Sequence, residues 1–583
     1  MTIVSRSHGE GPISRLDRRR LLAGAGALGG VSALGGLWPA WARSGTPGVT
    51  STLPTVSGET IALTVGHTPI KVDGRAGHAV SVNGTVPAPL VRLKEGQSVR
   101  IAVTNNLDED TSIHWHGLLL PFQMDGVPGV SFPGIKPGET FTYEFKVRQN
   151  GTYWYHSHSG LQEQMGHYGP IVIDPAGEDP VQYDREHVIV LSDYSFMHPH
   201  EIFRKLKAHA GYFNHQKQTV AGLLAGRDQS FKARKEWSAM LMDPTDVLDV
   251  TGSTYSFLVN GHGPKDNWTG LFTPGERVRL RFINAGAMTI FNVRIPGLKL
   301  GVVQADGQNV RPIEVDEFQI APAETYDVVV QPMDARAYTL VAEAADRSGM
   351  GRATLAPRLG MSTEVPPLRE RPLLTMRDMG MDHSSMAGMG GMEMDHSAMS
   401  MRDGRNAPDV PLGPGVQMIS PIPADRTGDP GQGLEEVGHK VLTYKDLVSL
   451  DPNPDPRPPS RELEIHLTGN MERFMWAFDG VGYSHIKAPI PFSFNERVRV
   501  VLVNDSMMAH PIHLHGHFYE VVTGNLGHHP RKHTVNVLPG GKVAFDLTAD
   551  EPGDWAFHCH LLYHMHAGMF NVVTVRPLDG GAA

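Results

Sequence analysis

The residues best suited to chemistry lie near the C-terminus, in Phe557-His558-Cys559-His560-Leu561-Leu562-Tyr563-His564-Met565-His566-Ala567-Gly568-Met569. Cys559 is the only cysteine among 583 residues. Histidine flanks it on both sides, His564 follows five residues on and Met569 ten on. One thiolate, imidazoles and a weak thioether are the donor set of a blue-copper electron-transfer site. On a strand, side chains alternate between faces, so Cys559 points one way and His558 and His560 the other. One stretch of backbone then serves a copper on each face, with Cys559 as the conduit between them. The plain alternative is a buried structural cysteine among chance histidines. Three further histidine motifs argue against it: His114-Trp115-His116-Gly117, His156-Ser157-His158 and His510-Pro511-Ile512-His513-Leu514-His515-Gly516.

Repeated elements must position these motifs. Val99-Arg100 with Asn105, Val278-Arg279 with Asn284, and Val498-Arg499 with Asn504 share the pattern V-R-x-x-x-x-N. Each lies in an alternating, β-branched run of strand type. Each follows a turn signal: Asn83-Gly84, Asn260-Gly261 and Asp479-Gly480. A period this long means duplicated domains. Short strands and Gly/Pro turns dominate and helical periodicity is scarce, which predicts an all-β chain of three antiparallel Greek-key β-sandwiches. We place them at 50–180, 181–360 and 436–578, with a linker over 361–435. The first and third share their histidine segments, but Ser157 stands where the third has Cys559 and Thr111 where it has His510. The first therefore cannot build the thiolate site. The second, read around Glu324-Thr325-Tyr326-Asp327, has no histidine and reads as a spacer.

A lone His-x-His pair is a weak signal. Four pairs at matched places in a duplicated sequence are a strong one. Eight neutral imidazoles suit three coppers with positions open to oxygen, whereas a single zinc would use three or four ligands.

In order and spacing, these four segments resemble the copper motifs of the multicopper oxidases over nearly the whole chain beyond residue 50. The resemblance implies cupredoxin-like domains and four coppers. By motif position, type 1 copper takes His510, Cys559, His564 and axial Met569. Type 2 takes His114 and His513. The two type 3 coppers take His116, His156 and His560, and His158, His515 and His558. It also implies electrons taken singly at type 1, passed through Cys559, and used to reduce dioxygen to water. Asp125 resembles an acid that the family places near type 2 copper as a proton relay; the alternative is an ordinary Asp-Gly turn. No acid stands between Cys559 and Met569, so that stretch supplies no carboxylate for a second proton route.

Nine methionines fall within Met376 to Met401: Met376, Met379, Met381, Met386, Met389, Met392, Met394, Met399 and Met401, with His383 and His396 among them. Rich in Gly, Ser and Asp, this segment reads as a flexible loop. Thioethers prefer Cu(I), so the loop is expected to gather Cu(I); a tolerated linker is the alternative. Within the family this narrows the resemblance to the bacterial periplasmic copper-resistance oxidases. Met507 and Met508 are either soft ligands or core. His198, His200, His528 and His529 read as surface histidines.

Residues 1–42 read as an export signal: Arg18 and Arg19, an apolar run from Leu21 to Trp38, and the small-x-small site Ala40-Trp41-Ala42. The arginine pair resembles a twin-arginine signal, implying the export machinery as a partner and the periplasm as destination. No other segment is long and apolar enough to span a membrane. The segment carries five Arg against Glu10 and Asp17, so the chain's −10 becomes −13 beyond it. An acidic surface argues against nucleic acid and favours cations. One cysteine excludes an internal disulfide framework. A monomer is expected, because one chain completes the cluster. Three functions follow: a Cu(I) oxidase using dioxygen, a laccase-like oxidase of phenols or other organic donors, and a copper-sequestering protein.

Overall fold

The computed structural model describes residues 48–381 and 401–577. The proposed export signal, together with His383, Met386, Met389, Met392, Met394, His396 and Met399, lies outside them.

Six sheets fall in chain order into three pairs. Four short strands matter most for the site: β1 (His114–His116), β2 (Gly151–His156), β3 (His510–Leu514) and β4 (Gly553–Cys559). β1 pairs antiparallel with β2, setting His114 opposite His156. β3 pairs antiparallel with β4, setting His513 opposite His558 and Ile512 opposite Cys559. The two strand pairs are copies of one element, each at or beside the edge of a five-stranded sheet.

The sheets are mixed, not purely antiparallel. Each V-R strand pairs parallel with an earlier strand: Ser98–Asn105 with Thr60–Val72, Val278–Asn284 with Arg185–Ser195, and Arg497–Asn504 with Arg461–Asn470. Chain that leaves one sheet and returns by a long connection can re-enter in parallel.

The asparagine ending each repeat has a structural task. Asn105, Asn284 and Asn504 are fully buried. Each Nδ2 donates to two backbone carbonyls: Glu109 and Ile135, Thr289 and Ile320, Met508 and Val537. Each Oδ1 accepts the backbone N–H two residues on. In the outer sandwiches this clamp holds the chain just before β1 and β3. The upstream turns also match: Asn83-Gly84, Asn260-Gly261 and Asp479-Gly480 all have positive φ at both positions, the tight turn that suits a twisted hairpin.

Three expectations change. Thr325–Val330 pairs with the second V-R strand as Gly541–Thr548 pairs with the third. The second sandwich's counterpart of β4 is therefore Tyr338–Ala344, which also lacks histidine. Second, this sandwich carries helices at Pro199–Ala208, Val220–Leu224 and Phe231–Ala239. Pro199–Ala208 buries a stripe at Ile202 and Leu206, whereas Val220, Leu224 and Phe231 on the other two helices point to solvent, so no buried apolar stripe announces those. Third, the ends of the methionine segment are not loose. Met376–Met379 is a helical turn whose capping box joins Thr375 and Asp378. Asp378 pairs with buried Arg426 at 2.8 Å, and Met379 and Met381 enter the core. Partly buried Met376 and Met401 pack against it. Met507 and Met508 are also core residues. His198 and His200 are exposed, whereas His529 is buried.

Candidate metal centres

β4 ends at Cys559 and the chain turns into a short helix, Leu562–His566. That turn returns His564 to Cys559. His510 Nδ1 lies 3.6 Å from Cys559 Sγ, His564 Nδ1 4.0 Å from it, and the two nitrogens 3.3 Å apart. Met569 is fully buried and its carbonyl accepts the Cys559 N–H at 3.1 Å. The outward nitrogens are held elsewhere. His510 Nε2–H donates to Ser506 Oγ at 2.7 Å, and Ser506 donates to clamp residue Asn504. His564 Nε2–H donates to Asp249 Oδ2 at 2.7 Å. Both Nδ1 atoms are thereby turned toward the thiol. The Trp476 indole stacks on His564, centroids 3.8 Å apart. Burial pushes the Cys559 thiol well above its usual range, so only a cation bound beside it would keep it ionised.

The matched place in the first sandwich is tied off. Thr111 and Ser157 hydroxyls both donate to Gln162 Oε1, at 2.7 and 2.9 Å. Hydrogen bonds fill the space that donor atoms occupy in the third.

On the other face of β4, His558 and His560 meet β1, β2, β3, His158 and His515. Seven of the eight imidazoles are buried; His158 is partly exposed. His114 stacks on His515 and His116 on His513, each pair with centroids 3.8 Å apart. His558 Nε2 lies 3.1 Å from His515 Nε2 and 3.4 Å from His158 Nε2. Burial and then neighbouring histidines hold His116, His156, His158, His513, His515 and His560 well below the usual imidazole range, and His558 at about 4. Neutral imidazoles keep a lone pair for a metal.

The outer nitrogens are again engaged. His114, His513 and His558 donate through Nδ1 to the carbonyls of Asp125, His533 and Cys559 at 2.7, 2.6 and 3.0 Å. His515 donates to Asp125 Oδ2 at 2.8 Å. His156 Nδ1 lies 2.7 Å from Glu163 Oε2. His116 Nε2 faces the Thr534 hydroxyl at 3.3 Å. What remains, His114 Nε2, His116 Nδ1, His156 Nε2, His513 Nε2 and His560 Nε2, is buried with no hydrogen-bond partner among the described residues. Converging, unpartnered nitrogens fit a set of transition-metal ions of the kind copper motifs imply.

Asp125 is both a turn residue and a bridge. Gly126 follows at φ +81, with no room for a Cβ against the Ile113 carbonyl. The carboxylate meanwhile contacts His515 and lies 3.3 Å from His114 Nδ1. Sequence reasoning missed four neighbours: Glu163, Asp249, His533 and Thr534. None lies in a His-x-His motif, and Asp249 comes from the sandwich read as a spacer. Asp306 of that sandwich also reaches the cluster's rear, accepting the backbone N–H groups of His533 and Thr534. Among the described residues of the methionine segment, Met379 and Met381 are packed in the core.

Multicopper oxidase family models match residues 64–178, 186–358 and 456–579. The chain is 47% identical to Copper resistance protein A of Escherichia coli, covering 96% of this chain and 99% of that one. It is 48% identical to Copper resistance protein A of Pseudomonas syringae pv. tomato, covering 97% and 100%. Among solved structures, the laccase of Botrytis aclada superposes with a TM-score of 0.60 over 90% of this chain and 88% of that one, at 23% identity, a likeness of fold. Three matched family models and near-complete alignment to relatives at almost half identity make this all-β chain a member of the multicopper oxidases, copper enzymes built of cupredoxin-like domains.

Proposed function

We propose that this chain is a periplasmic oxidase that takes electrons singly from Cu(I) and delivers them to dioxygen, protecting its cell from copper. Four coppers are assigned. His510, Cys559, His564 and Met569 hold type 1. His114 and His513 hold type 2. His116, His156 and His560, with His158, His515 and His558, hold the type 3 pair. Copper bound there supplies one-electron oxidation at the thiolate site and four-electron reduction of dioxygen to water at the cluster. Cys559 links the two centres along the backbone and through its carbonyl, which accepts the His558 Nδ1–H. Asp125 orients His515 and His114 and offers a carboxylate for proton transfer. Residues 1–42 support export.

The observation that carries the Cu(I) reading is a cleft of about 770 Å³ beside the Trp476–His564 stack. Met475, Met565, His485 and His566 line it, with no carboxylate. Thioether and imidazole suit Cu(I), whereas hard cations seek oxygen ligands. Both matched copper-resistance proteins support the same reading. The cleft's volume also favours a second reading, a laccase-like oxidase of small organic donors. Oxygen uptake by copper-loaded protein with Cu(I), beside a simple phenol, separates them. Replacing Met475 and Met565 by Leu should slow uptake with Cu(I) and spare the phenol. The opposite pattern would favour the organic donor. No uptake from protein holding many coppers would leave sequestration.

A further inference from the structure

An imidazole offers one nitrogen to a metal reliably when its other nitrogen is held. Around the cluster, backbone carbonyls or Asp125 do this for His114, His513, His515 and His558. On the opposite face His156 Nδ1 lies 3.0 Å from the Ser157 carbonyl, as His558 Nδ1 does from that of Cys559, but a carboxyl group lies nearer still. There His156, from the first sandwich, and His560, from the third, share one neighbouring carboxylate. Glu163 Oε2 lies 2.7 Å from His156 Nδ1, and Oε1 lies 4.0 Å from His560 Nδ1. Glu163 is 3% exposed and His560 2%. Glu163 Oε1 and His560 Nδ1 both lack a hydrogen-bond partner among the described residues. Two buried, unsatisfied, complementary atoms thus stand about 1 Å beyond bonding distance.

Glu163's backbone is fixed on both sides. Gln162 accepts from Thr111 and Ser157, and Gln164 donates to the Asp193 carbonyl and carboxylate. The carboxylate is therefore presented at this spot by the fold. The C-terminal motif carries no acid between Cys559 and Met569, so this face draws its carboxylate from another sandwich.

We propose that Glu163 is a positioning residue that holds the Nδ1–H groups of His156 and His560 together, aiming both Nε2 atoms at one metal across the boundary between first and third sandwiches. It is the counterpart on this face of Asp125 on the other. The inference rests on the reading that the eight imidazoles hold copper. That reading fails separately, if the unaltered protein takes up no copper beyond the thiolate site.

The test compares copper-loaded unaltered protein with Glu163→Gln and Glu163→Asp. Chelator titration follows copper content, optical absorbance follows the blue site, and EPR follows the coupled, silent pair. Gln has one acceptor oxygen where Glu163 presents one to each histidine, and its NH2 can only donate. Glu163→Gln should keep the blue absorbance but lose cluster copper at roughly 10–100-fold lower chelator concentration, with new EPR-visible copper from the uncoupled pair. Glu163→Asp, which keeps both carboxyl oxygens on a shorter side chain, should fall between. Unchanged chelator resistance and EPR in both variants would overturn the proposal. So would equal loss from both centres with a lowered Tm of the copper-free protein, since Glu163 would then act on the fold. Should Glu163→Gln not fold, Glu163→Asp alone decides by the same readouts.

Discussion

Asp249 Oδ2 lies 2.7 Å from His564 Nε2, and the two residues belong to different sandwiches, 315 positions apart. Asp249 is 4% exposed and His564 fully buried, so this hydrogen bond sits in a dry place. The second sandwich, without a copper motif of its own, thus sets the tautomer of a histidine in the third. Asp249→Ala should weaken retention at the thiolate site roughly 10–100-fold. In a chelator titration the blue absorbance should bleach before the cluster loses copper. Simultaneous loss from both centres would count against a local role.

Cys559→Ser removes the sulfur and keeps the shape. The variant should be colourless and turn over at background, yet retain cluster copper, because no cluster imidazole depends on Sγ. Copper analysis beside oxygen uptake checks this. Steady turnover in the serine variant would refute the assignment of Cys559.

The asparagine clamps can be separated from the chemistry. Asn504→Ala leaves the Met508 and Val537 carbonyls and the Ser506 N–H without their partner, at roughly 1–3 kcal/mol for each buried group left unpaired. It also frees Ser506, which holds His510. Asn284→Ala breaks the same clamp in the second sandwich. Both should lower Tm similarly, but only Asn504→Ala should shift or weaken the blue absorbance. Equal spectra would mean that Ser506 holds His510 unaided.

A pH effect on stability is expected at His466. It donates to Asp505 Oδ2 at 2.6 Å and faces Glu464 Oε1 at 3.1 Å, with Asp479 accepting its backbone N–H. Burial opposes its charge, but the two carboxylates outweigh that and raise its pKa above the usual 6.5. A raised folded pKa means stabilisation that is complete below the unfolded value and fades as pH rises through the folded one. The difference in urea midpoint between unaltered protein and His466→Gln should therefore be larger near about pH 6 than near about pH 9. A constant difference would point to packing alone.

Much of the architecture was legible because it repeats. Three V-R-x-x-x-x-N runs and three turn pairs mark matched strands, and their asparagines and turn residues make matched hydrogen bonds. Less legible were the features that depend on what packs where. The helices Val220–Leu224 and Phe231–Ala239 leave apolar side chains exposed, so periodicity does not report burial there, although Ile202 and Leu206 on Pro199–Ala208 do form a buried stripe. Met379 and Met381 were read as loop residues from composition. A capped turn and the Asp378–Arg426 pair bury them instead.

The sequence by itself determined which residues carry donor atoms and how they are phased. Alternation on β1 to β4 puts paired imidazoles on one face, and a single cysteine between two of them on the other. Duplication determined that two such strand pairs exist. Only the tertiary structure decided which carboxylates and hydroxyls answer those imidazoles. Asp249, Glu163 and Thr534 reach their histidines across sheets or domain boundaries, where meeting depends on how sandwiches pack, and residues that meet that way share no spacing along the chain.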